Sequence, residues 1–222
     1  SIEISYNHIR CDGATQLAQM LKANTTLCSM KLAHNTIGVD GAMQIAQALK
    51  VNTTLTVLDL GGNEISADGC LYIARALKSN HTLNSIDLSA NGIGKGAMKS
   101  VADTLKVNTT LTSLDLSYNR INEDSLRDIT EVLKVNSTLV EINLEGTVIS
   151  KIAASHIIDV FKVNRTLASM HLSGRAWGNL IHKYDYDTIQ SRCERNRQLQ
   201  KRVIHPRIVD IVIAMSSLLL PP

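Results

Sequence analysis

The chain has 222 residues, 44% of them apolar, 19% charged and only 3% aromatic, with a formal net charge of +3. That apolar fraction excludes a disordered polypeptide, and no apolar run approaches the ~20 residues needed to cross a bilayer. So few aromatics argue against stacking platforms for bases or sugars, and Cys11, Cys28, Cys70 and Cys193 show neither pairing nor metal spacing, which suits reduced thiols in a cytoplasmic compartment.

In chain order, the first unit begins inside a strand, at Ile2 and Ile4, so a preceding repeat or cap is expected. Asn7 opens a series that recurs as Asn35, Asn63, Asn91 and Asn119 at a spacing of 28 residues, and Thr147 and Arg175 keep the phase. A second series at the same spacing runs Asn24, Asn52, Asn80, Asn108, Asn136 and Asn164. The unit Leu55 to Thr82 shows the grammar. Leu58 and Leu60 alternate with Val57 and Asp59, as in a strand with one buried face. Asn63 marks the turn, Ile65 returns to the core, and Ser66 stands where an N-cap belongs. Cys70, Ile73, Ala74 and Leu77 then form one apolar helical stripe, with Asp68 at the helix start and Lys78 at its end, both favourable to the dipole. Asn80 is placed for a left-handed exit.

Neighbouring helices repeat the stripe as Ala42/Ile45/Ala46/Leu49, Met98/Val101/Ala102/Leu105 and Leu126/Ile129/Thr130/Leu133, with expected caps at Gly38, Gly94, Asn122 and Ser150. One strand and one helix cannot bury their own apolar face, so the units must stack. In the last unit Arg175 replaces the turn Asn, and Cys193 to Leu199 echoes Phe161 to Leu167. Trp177, Tyr184 and Tyr186 are expected to cover the end of the core, and 208–215 reads as a short helix.

Leu-x-x-Leu-x-Leu cores such as Leu55-Thr-Val-Leu-Asp-Leu60 and Leu111-Thr-Ser-Leu-Asp-Leu116, set between two Asn series, resemble leucine-rich repeats of the ribonuclease-inhibitor type. The resemblance covers residues 1–198 and implies an α/β solenoid of about seven repeats, the first truncated and the last irregular. It would be a curved horseshoe with a parallel β-sheet on the concave face and helices on the convex face. Residues 199–222 are expected to form a C-terminal cap helix.

Such solenoids bind on the concave face. Its outward strand position runs Glu3, Lys31, Asp59, Asp87, Asp115, Asn143, His171, and with Glu64, Glu141 and Glu145 the middle becomes acidic. Tyr6, His34, Tyr118 and Arg120 lie beside it as candidate anchors, and Gly61, Gly62, Ala90, Gly146 and Gly174 leave it smooth. A protein partner, basic where it meets this row, is the expected ligand. The six Asn-x-Ser/Thr sites share one phase of the repeat and read as structure rather than glycan acceptors. Lys22, Lys50, Lys78, Lys106, Lys134 and Lys162 read as helix-end cations, and Arg192, Arg195, Arg197, Lys201, Arg202 and Arg207 as a basic cap surface. No phosphate loop, nucleophile elbow or metal spacing is present, and His182 with Asp185 and Asp187 reads as polar loop. No enzymatic activity, cofactor, metal, nucleic acid or membrane contact is therefore expected. The alternative roles are regulation of a partner enzyme, in the manner of the similar repeats of the Ran GTPase-activating protein, or the sensing or autoinhibitory region of a larger receptor or effector.

Overall fold

The computed structural model describes residues 1–172 and 185–201. Arg175, Trp177, His182, Tyr184, Arg202, Arg207 and the expected helix at 208–215 lie outside the described residues. Strands and helices alternate as β1 (Ile2–Glu3), α1 (Arg10–Ala23), β2 (Ser29–Lys31), α2 (Gly38–Leu49), β3 (Val57–Asp59), α3 (Ser66–Leu77), β4 (Ser85–Asp87) and α4 (Lys95–Leu105). They continue as β5 (Ser113–Asp115), α5 (Glu123–Leu133), β6 (Glu141–Asn143), α6 (Lys151–Val163) and β7 (Ser169–His171), and residues 185–201 form a seventh helix, α7. Repeat n is the unit that starts with strand βn.

All seven strands are parallel and pair in sequence order, each residue opposite its counterpart 28 positions on, as in Leu58 with Ile86. The result is an open α/β solenoid, sheet on the concave side and helices on the convex side. Short strands suffice because β2 to β7 each contribute one buried residue, Met30, Leu58, Ile86, Leu114, Ile142 and Met170 in turn, with Ile2 of β1 partly buried, to a core completed by the helical stripes. No single repeat can enclose that row; stacking does.

Two asparagine ladders stitch neighbouring repeats. In the first, the Asn63 amide oxygen accepts the N–H groups of Asn35 (2.9 Å) and Ile37 (3.4 Å), while its Nδ2 donates to the carbonyl of Leu32 (2.8 Å). Asn35, Asn91 and Asn119 repeat the pattern. In the second, the Asn80 Oδ1 accepts from its own Thr82 and Leu83 N–H groups, and its Nδ2 donates back to Leu49 (2.7 Å) and Asn52 (3.2 Å). This second series corrects one expectation. No residue of it has positive φ, and Asn24 and Asn164 leave their helices in extended conformation. Asparagine is needed there for its side-chain amide, which folds the exit and ties it to the previous repeat, not for left-handed backbone. Asn196 keeps the donor half of the pattern, bonding the carbonyls of Asn164 and Leu167, but it lies within α7 rather than at a helix end, and its Oδ1 accepts from Arg195.

Helix entry also differs from expectation in the first repeats. Gly38 and Ser66 are not side-chain caps. Both have positive φ and begin α2 and α3 behind Ile37 and Ile65. Their N–H groups donate to the carbonyls of Asn63 and Asn91 in the next repeat (2.9 Å each). Gly94 stands at the N-cap of α4 without a side chain to offer. Asn122 and Ser150 do cap, accepting from Ser125 (3.0 Å) and Ala153 (3.1 Å). The entry also needs a small residue four places after the isoleucine. A Cβ on Gly69 would lie 2.4 Å from the Ile65 Cγ2 and 3.1 Å from the Ala42 Cβ of the preceding helix. Among the described residues two buried hydroxyls, Thr147 Oγ1 and Ser125 Oγ, find no partner.

Candidate functional site

Parallel in-register pairing turns sequence positions into rows across the concave face. Glu3, Lys31, Asp59, Asp87, Asp115, Asn143 and His171 form one row, each directly beside the next. Beside it run Ser29, Val57, Ser85, Ser113, Glu141 and Ser169. Past the strand ends, the N–H groups of Tyr6, His34, Gly62, Ala90 and Tyr118 continue the ladder to the next repeat, and all five residues have positive φ, as has Gly146. Most residues avoid that conformation, so the aromatic side chains at this rim are held there by the ladder, on one side for Tyr6 and on both for His34 and Tyr118. Glu64 and Arg120 are not on the sheet. They follow the ladder asparagines, in the strand-to-helix loops.

The acidic row has a structural duty that uses only part of each carboxylate. Oδ1 of Asp59, Asp87 and Asp115 accepts from the N–H two residues on, at Gly61 (2.9 Å), Ser89 (2.8 Å) and Ser117 (2.8 Å). Partial burial raises the Asp87 carboxyl above the usual carboxylate range, the Ser89 bonds pull it down, and the flanking Asp115 and Asp59 charges push it further up. Among the described residues none of the three aspartates is in an ion pair, whereas Lys31 pairs with Glu3 at 3.1 Å.

The two ends of the face differ. Over repeats 1–4 it forms a groove of about 470 Å³, floored by Ala33, Gly61 and Ser89 and edged by Tyr6 and His34. The two rings stack with centroids 4.5 Å apart and an interplanar angle of 16°. His34 in turn covers Gly62, where a Cβ would fall 2.4 Å from Nδ1 and φ is +64°. Over repeats 5–7 the polar groups face one another. Asn143 Nδ2 donates to Asp115 Oδ2 (2.8 Å), and the Glu145 carboxylate beside Tyr118 raises its phenol. His171 Nε2 meets both Ser169 Oγ (2.9 Å) and Glu141 Oε1 (3.0 Å). With both partners on one ring nitrogen, this exposed trio is not a proton relay, which needs the base to reach the hydroxyl with one nitrogen and its orienting carboxylate with the other. Among the described residues no group of three or more His, Cys, Asp or Glu is placed to hold a metal ion. Burial pushes the Cys70 thiol up to about 12 and Cys193 to about 11, so neither is an activated nucleophile.

The remaining periodic motifs resolve into structure. The amide nitrogens of Asn52, Asn80, Asn108, Asn136 and Asn164 are buried and bonded to carbonyls. Lys106, Lys134 and Lys162 pair with the acid one turn earlier, at 2.6–3.0 Å. In the basic cluster of α7, Arg195 bonds the Phe161 carbonyl, and Arg197 bonds Glu194 and the Ala168 carbonyl. Sequence reasoning named Tyr6, His34 and Gly62 but missed Ser89 and the stacking of Tyr6 on His34 over Gly62; glycine at 62 and 146 in one phase was the available signal.

A leucine-rich repeat family model matches residues 23–46, 51–74, 79–102 and 107–129, and the fold is that of a leucine-rich repeat solenoid with a helix in each repeat. No curated protein matches it. Among solved structures it is similar to leiomodin-1 actin-binding site 2, with a TM-score of 0.57 at 18% identity over 89% of this chain and 96% of that one. The tropomodulin C-terminal domain of Caenorhabditis elegans gives 0.52 at 14%, covering 88% and 98%. The leucine-rich repeat-containing protein LegL7 of Legionella pneumophila gives 0.52 at 20%, covering 86% and 61%. At these identities the likeness is one of fold.

Proposed function

We propose that this leucine-rich repeat chain is a non-enzymatic interaction module that holds a protein partner on its concave strand face. The observation that carries the reading is the open sheet. Six strand-to-strand joints align side chains into continuous rows, and small residues floor them, so a broad surface is presented without a deep pocket. That one structural neighbour is an actin-binding site supports a protein as the kind of ligand. The four free thiols suit a reducing, cytoplasmic setting. Regulation of a partner enzyme, or sensing on behalf of a larger assembly, would be exercised through this same contact.

The test is steric. Peptides selected on the whole chain from a random display library should lose binding to the Ser85→Arg/Ser113→Arg variant, which fills the middle of the face. They should keep it with Gln47→Arg, on the exposed side of α2. Binders indifferent to the first variant and sensitive to the second would move the site to the helices.

A further inference from the structure

Within that reading, on which this inference rests, one half of the face is prepared for a particular chemistry. The turn duty of the acidic row does not require charge. In repeat 6 the same position is Asn143, and its Oδ1 accepts the Glu145 N–H at 3.0 Å just as Asp87 accepts from Ser89. A neutral amide makes the same turn, so the negative charge at Asp59 and Asp87 answers to something other than the fold. At Asp115 part of that charge is already met by the Asn143 amide at 2.8 Å, and Glu141 is met by His171. Among the described residues Asp59 and Asp87 have only backbone and hydroxyl donors. They flank Gly61, above which the Asp59, Asp87 and Ser89 oxygens converge; a Cβ built there would meet them at 3.4, 3.3 and 2.9 Å. The missing side chain at residue 61 keeps that approach open. At the groove's edge the Tyr6 ring, 72% exposed, lies flat on His34 and offers a π-face to an aliphatic stem or a planar cation.

We propose that the groove over repeats 1–4 takes an extended peptide segment of a protein partner whose lysine or arginine reaches Asp59 and Asp87 over Gly61, while neighbouring atoms pack on the Tyr6–His34 stack. The charge of the row and the groove's volume, about 470 Å³, suit such a side chain with its flanking backbone. Anionic ligands, nucleic acids among them, are repelled by the same row. The placement is specific: repeats 5–7, whose polar groups satisfy one another, contribute little to the cation.

The experiment uses the full chain and a fluorescein-labelled nonapeptide of alternating arginine and serine, followed by anisotropy at low salt. Saturable binding is expected, with the glutamate–serine counterpart inert. Asp59→Asn/Asp87→Asn should weaken it about tenfold or more, Tyr6→Ala a few-fold, and Glu141→Gln/Glu145→Gln less than about twofold. Because asparagine already makes this turn at residue 143, the double variant keeps its fold, and a circular dichroism melt verifies it. Equal binding of both peptides, or an equal loss from the repeat 6 variant, overturns the proposal. So does selection, in the display experiment above, of binders that need the concave face but carry no cation and ignore Asp59→Asn/Asp87→Asn. In that case the concave reading stands and only the basic occupant falls.

Discussion

The joints between repeats 1 and 5 and the joint between repeats 5 and 6 are built from the same parts, except for one side chain. At the former, Asn35, Asn63, Asn91 and Asn119 each accept two N–H groups of the preceding repeat. At the latter, Thr147 occupies the ladder position. Among the described residues its hydroxyl is buried without a partner, and no side chain there accepts from the N–H groups of Asn119 and Ile121 as Asn119 accepts from those of Asn91 and Ile93. The second ladder crosses the same joint intact, through Asn164 Nδ2 to the Leu133 and Asn136 carbonyls. Repeats 1–5 are therefore sewn along both edges, and repeat 6 along one. Helix entry changes earlier, after repeat 3, and Gly94 stands at the N-cap of α4. Arg10, Gly38 and Ser66 donate to the next repeat, whereas Asn122 and Ser150 close their own helices. A solenoid can hold its loops by borrowing from a neighbour or by local capping, and this one changes method along its length.

The comparison breaks if Asn91 and Thr147 prove interchangeable. Asn91→Ala strands several buried donors and acceptors, at about 1–3 kcal/mol for each unsatisfied group, so urea unfolding should lose several kcal/mol. Thr147→Ala, which removes a hydroxyl with no partner, should cost less than about 1 kcal/mol by the same measurement. Gly62→Ala comes next, at about 1–2 kcal/mol, because it must adopt φ +64° and displace the His34 ring. Its structural signature is loss of the Tyr6 ring-current shifts in the NMR spectrum.

Helix entry sharpens the contrast. Asn122→Ala should lower stability by about 1 kcal/mol, whereas Ser66→Ala, which removes no cap, should show little of that loss. Thr147→Asn, which supplies the missing amide, should raise the unfolding free energy by up to about 1 kcal/mol and slow hydrogen exchange at Asn119 and Ile121. The smallest effect concerns pH. The folded Asp87 holds its proton more tightly than the unfolded chain does, so its ionisation removes stability as pH rises through 3.8 toward the raised folded value. Asp87→Asn should therefore be modestly the more stable protein at pH 7, with the difference closing below pH 3.8.

The fold was legible because its demands recur. Leu58 and its equivalents, the helical stripes and the two asparagine series each appear at one phase, and the structure uses each phase for one job. What escaped the sequence was which atoms do that job. Asn80 suits a left-handed exit and an amide tie equally well on paper, and only the location of the Leu49 carbonyl, 31 residues earlier, decides between them. Ser66 looks like a cap until Ile65 takes the preceding position and the Asn91 carbonyl takes the Ser66 N–H. The acidic row was visible as residues, but whether its charges were already compensated depended on contacts between repeats. Glu64 and Arg120 were drawn to the row by type and charge, yet loop geometry puts them elsewhere.

The strand spacing of the open sheet sets a cadence for anything lying along it. Successive strands advance by ~4.8 Å, whereas a polyproline-II segment turns once every three residues, or ~9.3 Å. Two strands and one such turn nearly coincide. A guest chain of that form would fall into step with alternate repeats, its every third side chain landing on the same row, and would drift out of phase by only about 0.3 Å per turn.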